Sequence, residues 1–200
     1  HTLEQVKESE RQKSELRFEI LIAQINPHFL FNTLNSIKWM ATMVHADNIV
    51  NTIRSLARLL EISMNRQSDI ISIGEELKNL KSYLEIQAIR YTDMFDVTYE
   101  IASDLESYET LKLVFQPIVE NAIIHNVQEQ EHLSIHIRGI RQGENIVLEI
   151  TDNGKGMTPE QVHKVLTEES GNEKSVFRGI GVRNVQQRLR LKYGFEYGIY

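Results

Sequence analysis

The spacing of the apolar residues changes near residue 93, and this change constrains the fold more than any other feature of the sequence. Before it, apolar residues recur at steps of three and four, as they do along one face of an α-helix. After it, residues 95–101, 132–140 and 145–151 (FDVTYEI, HLSIHIRGI and NIVLEIT) alternate apolar with polar side chains, which is typical of half-buried strands. The sequence therefore predicts an α+β protein in which helices come first and strands and helices intermix afterwards.

Two of the predicted helices carry a narrow apolar seam. Two seamed helices with a short joint form an antiparallel hairpin, and a hairpin alone has too little core to be stable. We therefore expect a second copy of the chain to complete a four-helix bundle. The seam residues are Leu30, Leu34, Ile37, Ala41 and Val44 on the first helix, and Ile49, Ile53, Leu56, Leu60 and Met64 on the second, predicted over 47–65. Further helices are predicted over 2–24, 74–91, 111–126, 158–166 and 182–192.

The composition excludes several classes of function. The chain has 200 residues and a net charge of -6, which argues against broad contact with nucleic acid, because that contact needs clustered Lys and Arg. It has no cysteine, so disulfides and thiol chemistry are excluded. No apolar run reaches the roughly 18 residues of a membrane-spanning helix. The first residue is His1 rather than Met and lies in a charged run, so we expect a piece of a longer protein.

The sequence DNGKGM at 152–157 directly follows a predicted strand. Asp152 in this position can accept a hydrogen bond from the exocyclic amine of a buried purine. Gly154 and Gly156 let the backbone pass close to a ligand, because no side chain stands in the way. Taken alone, the same letters equally describe an Asn-Gly turn that closes a strand.

The sequence GIGVRN at 179–184 places Gly179 and Gly181 just before a predicted helix. The first turn of a helix has unpaired N–H groups and the positive end of the helix dipole, so this pattern suits a phosphate group. Taken alone, it also describes a loop that ends in a helix cap.

The sequence VENAIIHN at 119–126 lies on a helix that is otherwise apolar. Asn121 is a candidate ligand for Mg²⁺, because this ion prefers oxygen donors and retains substrate phosphates in its shell. Asn121 and His125, four residues apart, form equally well a polar pair on the helix surface.

The order of these motifs resembles the ATP-binding domain shared by histidine kinases, gyrase, Hsp90 and MutL: an Asn box on a helix, Asp-x-Gly-x-Gly after a strand, a lid, and Gly-x-Gly opening a helix. The segments INPHFLFNTLNSI, YLEIQAIRY, QPIVENAIIHN and GIGVRNVQQRL narrow the resemblance to LytS/YesM-like sensor histidine kinases. The similarity spans residues 20 to about 198.

The resemblance implies the domain organisation and the activity. It implies a signalling helix over 1–18, a dimerisation and phosphoacceptor region over 19–92, and an ATP-binding domain over 93–200 with a mixed sheet and helices on one face. The cofactors are ATP and Mg²⁺. The expected reaction is autophosphorylation of a histidine in a homodimer, followed by transfer to an aspartate of a response regulator. The family also implies the cytoplasmic portion of a membrane protein, attached through an N-terminal sensor region.

His28 is the phosphoacceptor that the resemblance implies. On a helical rotation, His28, Asn32 and Asn35 lie nearly opposite the seam, where an imidazole is accessible to a phosphate held by another domain. Asn32 is a candidate for orienting the imidazole. Pro27 lies directly before His28 and has two interpretations. Either a helix starts at Pro27, or Pro27 kinks a longer helix, frees the carbonyl of Ala23 and so exposes the imidazole.

Several positions depart from the family pattern. Phe29 follows the phosphoacceptor where many histidine kinases have an acid, Ile124 stands where relatives often carry Lys, and Asn126 where they often carry Gly. The chain ends at GFEYGIY, where the family continues into closing strands, so we expect an incomplete sheet. A missing phosphate contact would come from Lys155, Lys174 or Arg178. The full predicted nucleotide site is Asn121, His125, Asp152, Gly154, Lys155, Gly156, Arg178, Gly179 and Gly181.

Two other classes of function remain open from the sequence. One is an ATPase or serine kinase with the same nucleotide fold, in which His28 has no role. The other is a degenerate interaction module that binds nucleotide weakly or not at all.

His132 and His136 alternate with apolar residues on a predicted strand, so we interpret them as solvated side chains and not as metal ligands.

Overall fold

The structure is a computed structural model that describes residues 26–64, 68–167 and 180–200. The helices are α1 (Pro27–Met43), α2 (Asp47–Met64), α3 (Ile73–Arg90), α4 (Phe115–Asn126), α5 (Pro159–Thr167) and α6 (Ile180–Tyr193). The strands are β1 (Ile70–Ser72), β2 (Phe95–Ile101), β3 (Glu109–Leu111), β4 (Leu133–Gln142) and β5 (Asn145–Asp152), and a 3-10 turn spans Leu105–Ser107. None of the described helices is long and apolar enough to cross a membrane.

The chain folds as two compact units, His1–Ala57 and Arg58–Tyr200, and the division lies inside α2. Helix α3 belongs to the second unit, because its apolar side chains, among them Leu77 and Leu80, are buried in the same core as α4. The functional boundary that the sequence predicts, between residues 92 and 93, stays a prediction, since folding units and functional regions need not coincide.

In the first unit, helix α1 begins at Pro27. The side-chain oxygen of Asn26 caps it by accepting hydrogen bonds from the backbone N–H groups of His28 (3.1 Å) and Phe29 (3.3 Å). Proline is favoured at the first helical position, where its missing N–H has no intrahelical partner. Of the two interpretations of Pro27, the start of a helix is therefore the observed one. Residue Ala23, the predicted helix over 2–24 and the signalling region lie outside the described residues.

The apolar seams of the first unit are only partly covered within one chain. Leu34 and Ala41 on α1 and Ile53 on α2 are buried. Other apolar side chains remain exposed, which is unusual for a surface that stays in water. These exposed side chains are Phe29, Ile37, Trp39, Met40, Met43 and Val44 around α1, and Ile49 and Leu56 on α2.

The second unit is built on a mixed three-stranded sheet in the order β2-β4-β5. Strand β2 is parallel to β4, with Val97 opposite Ile135, and β4 is antiparallel to β5, with Ile137 opposite Ile150. Side chains on one face of β4 are fully buried and pack with α3, α4 and α6, while the other face is polar and exposed. This arrangement confirms the predicted α+β class, with helices on one face of a mixed sheet. Strands β1 and β3 form a separate antiparallel pair.

Candidate functional site

The predicted purine contact, Asp152, is the last residue of β5, and its carboxylate is held by two hydrogen bonds. Oδ1 accepts from the backbone N–H of Gly154 at 2.8 Å and from Nδ2 of Asn126 at 3.2 Å. In the part of the chain that the structure describes, no donor contacts Oδ2. A carboxylate fixed through one oxygen can present the other to a ligand amine, because each oxygen has two lone pairs.

Asn126, the last residue of α4, fixes Asp152 and also explains Gly154. Its side chain is buried, and Nδ2 donates a second hydrogen bond to the carbonyl of Ala122 at 3.0 Å. A Cβ atom on Gly154 would lie 2.3 Å from Cγ of Asn126, so only glycine allows the two segments to come this close. The sequence marked Asn126 as a departure from the family pattern but did not predict its contact with Asp152.

Asn153 attaches the end of β5 to the start of β4. Its Oδ1 accepts from the N–H of Ser134 at 2.9 Å, and its Nδ2 donates to the carbonyl of His132 at 3.1 Å. The side chain therefore continues the strand ladder by one residue and holds the segment that carries Asp152. The sequence alone predicts this residue only as part of a possible Asn-Gly turn.

The predicted metal ligand Asn121 lies on α4, the helix that ends in Asn126. Its side chain is half-buried, as is that of His125, and among the described residues it makes no hydrogen bond. Its amide oxygen is therefore available, and it is the type of donor that Mg²⁺ prefers. Ile124 is 57% exposed on the same helix, so the position at which relatives often carry Lys faces solvent.

The remaining predicted phosphate contacts lie on two segments. Lys155 is exposed and forms an ion pair with Glu129 at 2.8 Å. Gly156 has a positive φ of 69°, which favours glycine. At the start of α6, a Cβ atom on Gly181 would come within 2.9 Å of Cβ of Pro117, so this glycine lets α6 approach α4. Lys174, Arg178 and Gly179 lie outside the described residues.

In the first unit, His28 is exposed on the first turn of α1. Its Nδ1 lies 3.1 Å from Nδ2 of Asn32, one turn further along. An asparagine amide can donate or accept at this distance, because its nitrogen and oxygen exchange places when the amide rotates by a half turn. Asn32 is thus in contact with one imidazole nitrogen, and the other nitrogen, Nε2, is turned away from it.

Two histidines lie on the polar face of the sheet, His136 on β4 and His132 directly before that strand. Nε2 of His132 pairs with Asp96, and Nε2 of His136 lies 3.3 Å from Glu100. The hydrogen bond with Asp96 raises the pKa of His132. Within the described ranges, no group of three His, Cys, Asp or Glu side chains is placed to hold a metal ion. Both side chains are exposed, as the sequence predicts, and both have acidic partners that the sequence does not predict.

Two family models match this chain. A family model described as histidine kinase matches residues 16–95, and one described as histidine kinase-, DNA gyrase B-, and HSP90-like ATPase matches residues 106–198. The chain is 33% identical over 186 residues to sensor histidine kinase YesM of Bacillus subtilis (strain 168), covering 92% of this chain and 30% of that protein. It is 30% identical over 194 residues to sensor histidine kinase BtsS of Escherichia coli (strain K12), covering 95% and 32%.

The chain spans about a third of the length of these two relatives. Among solved structures, a histidine kinase domain from the Erythrobacter litoralis EL346 blue-light activated histidine kinase aligns with a TM-score of 0.44 at 15% identity. That alignment covers 82% of this chain and 76% of the solved one.

Proposed function

We propose that this chain, which belongs to the sensor histidine kinase family, is a kinase core that binds ATP in its second unit and transfers the γ-phosphoryl group to His28. The observation that carries the ATP-binding part is the carboxylate of Asp152, which Asn126 and Gly154 hold through one oxygen only. The other oxygen would accept from the exocyclic amine of adenine. A preorganised acceptor of this kind selects a base that carries an amine.

The triphosphate is proposed to lie along α4 and the start of α6. Asn121 would hold Mg²⁺, which would supply positive charge to neutralise the phosphate groups. Lys155 would contact a phosphate after leaving Glu129. An exposed ion pair is worth only about 0–1 kcal/mol, so the observed pairing does not prevent that movement. Arg178, Gly179 and Gly181 are the remaining proposed contacts.

His28 supplies the nucleophile. A neutral imidazole has one nitrogen with a free lone pair and one that carries a proton. We propose that the amide oxygen of Asn32 accepts from Nδ1–H, because this leaves the lone pair on Nε2. Nε2 then attacks the γ-phosphorus in line, the bond to the bridging oxygen breaks, ADP leaves, and the imidazolium loses its Nδ1 proton to solvent.

The role of Asn32 leads to a prediction about rate. Asn32→Ala is expected to slow formation of phosphohistidine about tenfold, because one hydrogen bond worth about 1–1.5 kcal/mol no longer selects the reactive tautomer. Asn32→Asp retains an acceptor and should keep most of the rate. The measurement is the initial rate of labelling by ATP. Asn35→Ala, on the same face of α1, is the matched control. Equal rates for Asn32→Ala and Asn35→Ala would exclude the orienting role.

The proposed partners are a second copy of the chain and the aspartate of a response regulator. The exposed apolar side chains of α1 and α2 support the first partner, because a four-helix bundle would bury them. The second follows from the family alone, since the imidazole phosphate needs an acceptor for the signal to continue.

The proposal is tested by incubating the 200-residue chain with ATP labelled on the γ-phosphate and Mg²⁺. The expected product is an acid-labile phosphate that maps to the peptide containing His28. Acid-stable phosphoserine, or release of inorganic phosphate without labelled protein, would assign the chain to the other class of enzyme with this nucleotide fold. Failure to bind ATP would indicate a degenerate interaction module. Either result overturns the proposal.

A further inference from the structure

A buried carboxylate that the proposed chemistry does not use lies on α3. Glu76 is 1% exposed, and its carboxylate accepts three backbone hydrogen bonds from the residues that lead into α4. Oε2 accepts from the N–H of Leu113 at 2.9 Å, and Oε1 accepts from those of Val114 at 2.6 Å and Phe115 at 3.0 Å. The cap residue of α4, Val114, has no side chain that could serve this purpose. Glu76 therefore caps α4 from another helix.

The cap fixes the start of α4 firmly. The first N–H groups of a helix have no intrahelical partner, and a negative charge there also interacts favourably with the helix dipole. Leu113 adopts a positive φ of 56°, a conformation that a leucine keeps only when its surroundings hold it. Burial raises the pKa of Glu76, while the three N–H donors oppose that rise by stabilising the charged form.

The polar contacts continue from Glu76 to α2. Asn79, one turn along α3, is 4% exposed, and its side chain forms a hydrogen bond that stabilises the charge of Glu76. Oδ1 of Asn79 accepts from Nε of Arg58 at 3.2 Å. Arg58 is the first residue of the second unit and lies on α2, which extends into that unit from the first. A continuous path thus runs from α2 through two buried side chains to the first turn of α4.

We propose that Arg58, Asn79 and Glu76 form a relay of positioning residues that couples the placement of α2 to the nucleotide site on α4. The inference rests on the proposed function, because it assigns the relay a role in ATP binding. Buried polar groups are costly to leave unpaired, so a partly satisfied network is unstable and its members change together. A shift of α2 that removes Arg58 from Asn79 would loosen Glu76, and α4 would carry Asn121 and Asn126 with it.

The test is a double-mutant cycle on ATP affinity in the full 200-residue chain. Arg58→Lys keeps the charge but loses the Nε donor, and Glu76→Gln replaces one acceptor oxygen by a donor that faces an N–H. We expect ATP to bind about fivefold more weakly to Arg58→Lys and about tenfold more weakly to Glu76→Gln, as loss of about one hydrogen bond implies. The double variant should bind no more weakly than Glu76→Gln alone.

Matched controls separate the relay from general damage. Arg54→Lys is a control for Arg58→Lys, because it also removes a hydrogen bond to an asparagine, here on α2. Glu75→Gln is a control for Glu76→Gln, because Glu75 is the exposed neighbour of Glu76 and a glutamine at position 75 keeps the capping hydrogen bond of Glu75. Both should bind ATP within about twofold of the parent chain. A purely structural role would lower the melting temperature of the relay variants without changing the ATP affinity of the folded protein.

Two results would overturn the relay while leaving the proposed function intact. One is ATP affinity in Arg58→Lys and Glu76→Gln equal to that of their controls. The other is a double variant whose loss equals the product of the two single losses. If Glu76→Gln does not fold, the cycle between Arg58→Lys and Asn79→Ala answers the same question. Failure of the parent chain to bind ATP would instead overturn the proposed function, and the relay with it.

Discussion

His28→Gln is expected to abolish phosphohistidine formation, with a loss of at least about 10³-fold in the labelling rate. Glutamine is close to histidine in length and polarity, but its amide nitrogen has no lone pair available to attack phosphorus. His28 is exposed on the first turn of α1, so the substitution leaves the buried side chains of the helix untouched. The stability of the chain and its ATP affinity should therefore not change.

The measurement compares acid-labile label with ATP affinity in the same preparation. His136→Gln is a suitable control, because His136 is exposed on the polar face of the sheet and has an acidic partner. It should label at the parent rate. Undiminished acid-labile label in His28→Gln would mean that another histidine accepts the phosphoryl group. The phosphoacceptor assignment would then be wrong even if the chain binds ATP as proposed.

Secondary structure was predictable where short-range signals are strong. The alternation over 95–101 coincides with β2, and the seam over 47–65 predicts α2, which ends at Met64. Helix α3 begins one residue before the predicted start, at a capping box in which Ser72 and Glu75 satisfy each other's backbone N–H groups. In each case the residues that specify the element lie within the element itself or directly beside it.

The pairing of β1 with β3 was not predicted, because each strand has three residues and no alternation to detect. The helix that the sequence predicts over 111–126 begins instead at Phe115. Leu111 pairs with Ile70 across the small sheet, and Leu113 turns through a positive φ that Glu76 stabilises. Contacts between residues far apart in the chain decide this boundary, so local propensity does not reveal it.

The candidate site also contains residues that local sequence predicts and residues that it does not predict. Asp152, Gly154 and Asn121 follow from motifs, because each motif is continuous in sequence. The contacts that hold these residues do not follow from motifs. Asn126 and Asn153 form hydrogen bonds with segments that are distant in sequence and that only the fold brings close. Their only sequence signal is an amide side chain next to a motif residue, which is common in turns as well.

Gly154→Ala is expected to weaken ATP binding by about 10- to 100-fold, the largest effect that we predict for a single methyl group. The new Cβ would overlap three side-chain atoms of Asn126 at 2.3–2.4 Å. The side chain of Asn126 is buried and forms a hydrogen bond with the carbonyl of Ala122, so it cannot move aside easily. The backbone at Gly154 must therefore move to relieve the overlap. That backbone N–H holds Asp152, and overpacking of this kind costs about 1–3 kcal/mol. ATP affinity measured by calorimetry tests the expectation.

Two further variants distinguish steric overlap from a general effect of replacing glycine. Gly143→Ala places a side chain at a positive φ of 64° in the turn between β4 and β5, where no heavy atom lies within 4 Å. It should cost about 1–2 kcal/mol of stability without changing ATP affinity. Asn126→Gly in the Gly154→Ala background removes these three overlapping atoms, so it should restore part of the affinity, although Asp152 then lacks one donor. Wild-type affinity in Gly154→Ala would show that this contact does not position the carboxylate that is proposed to bind the base.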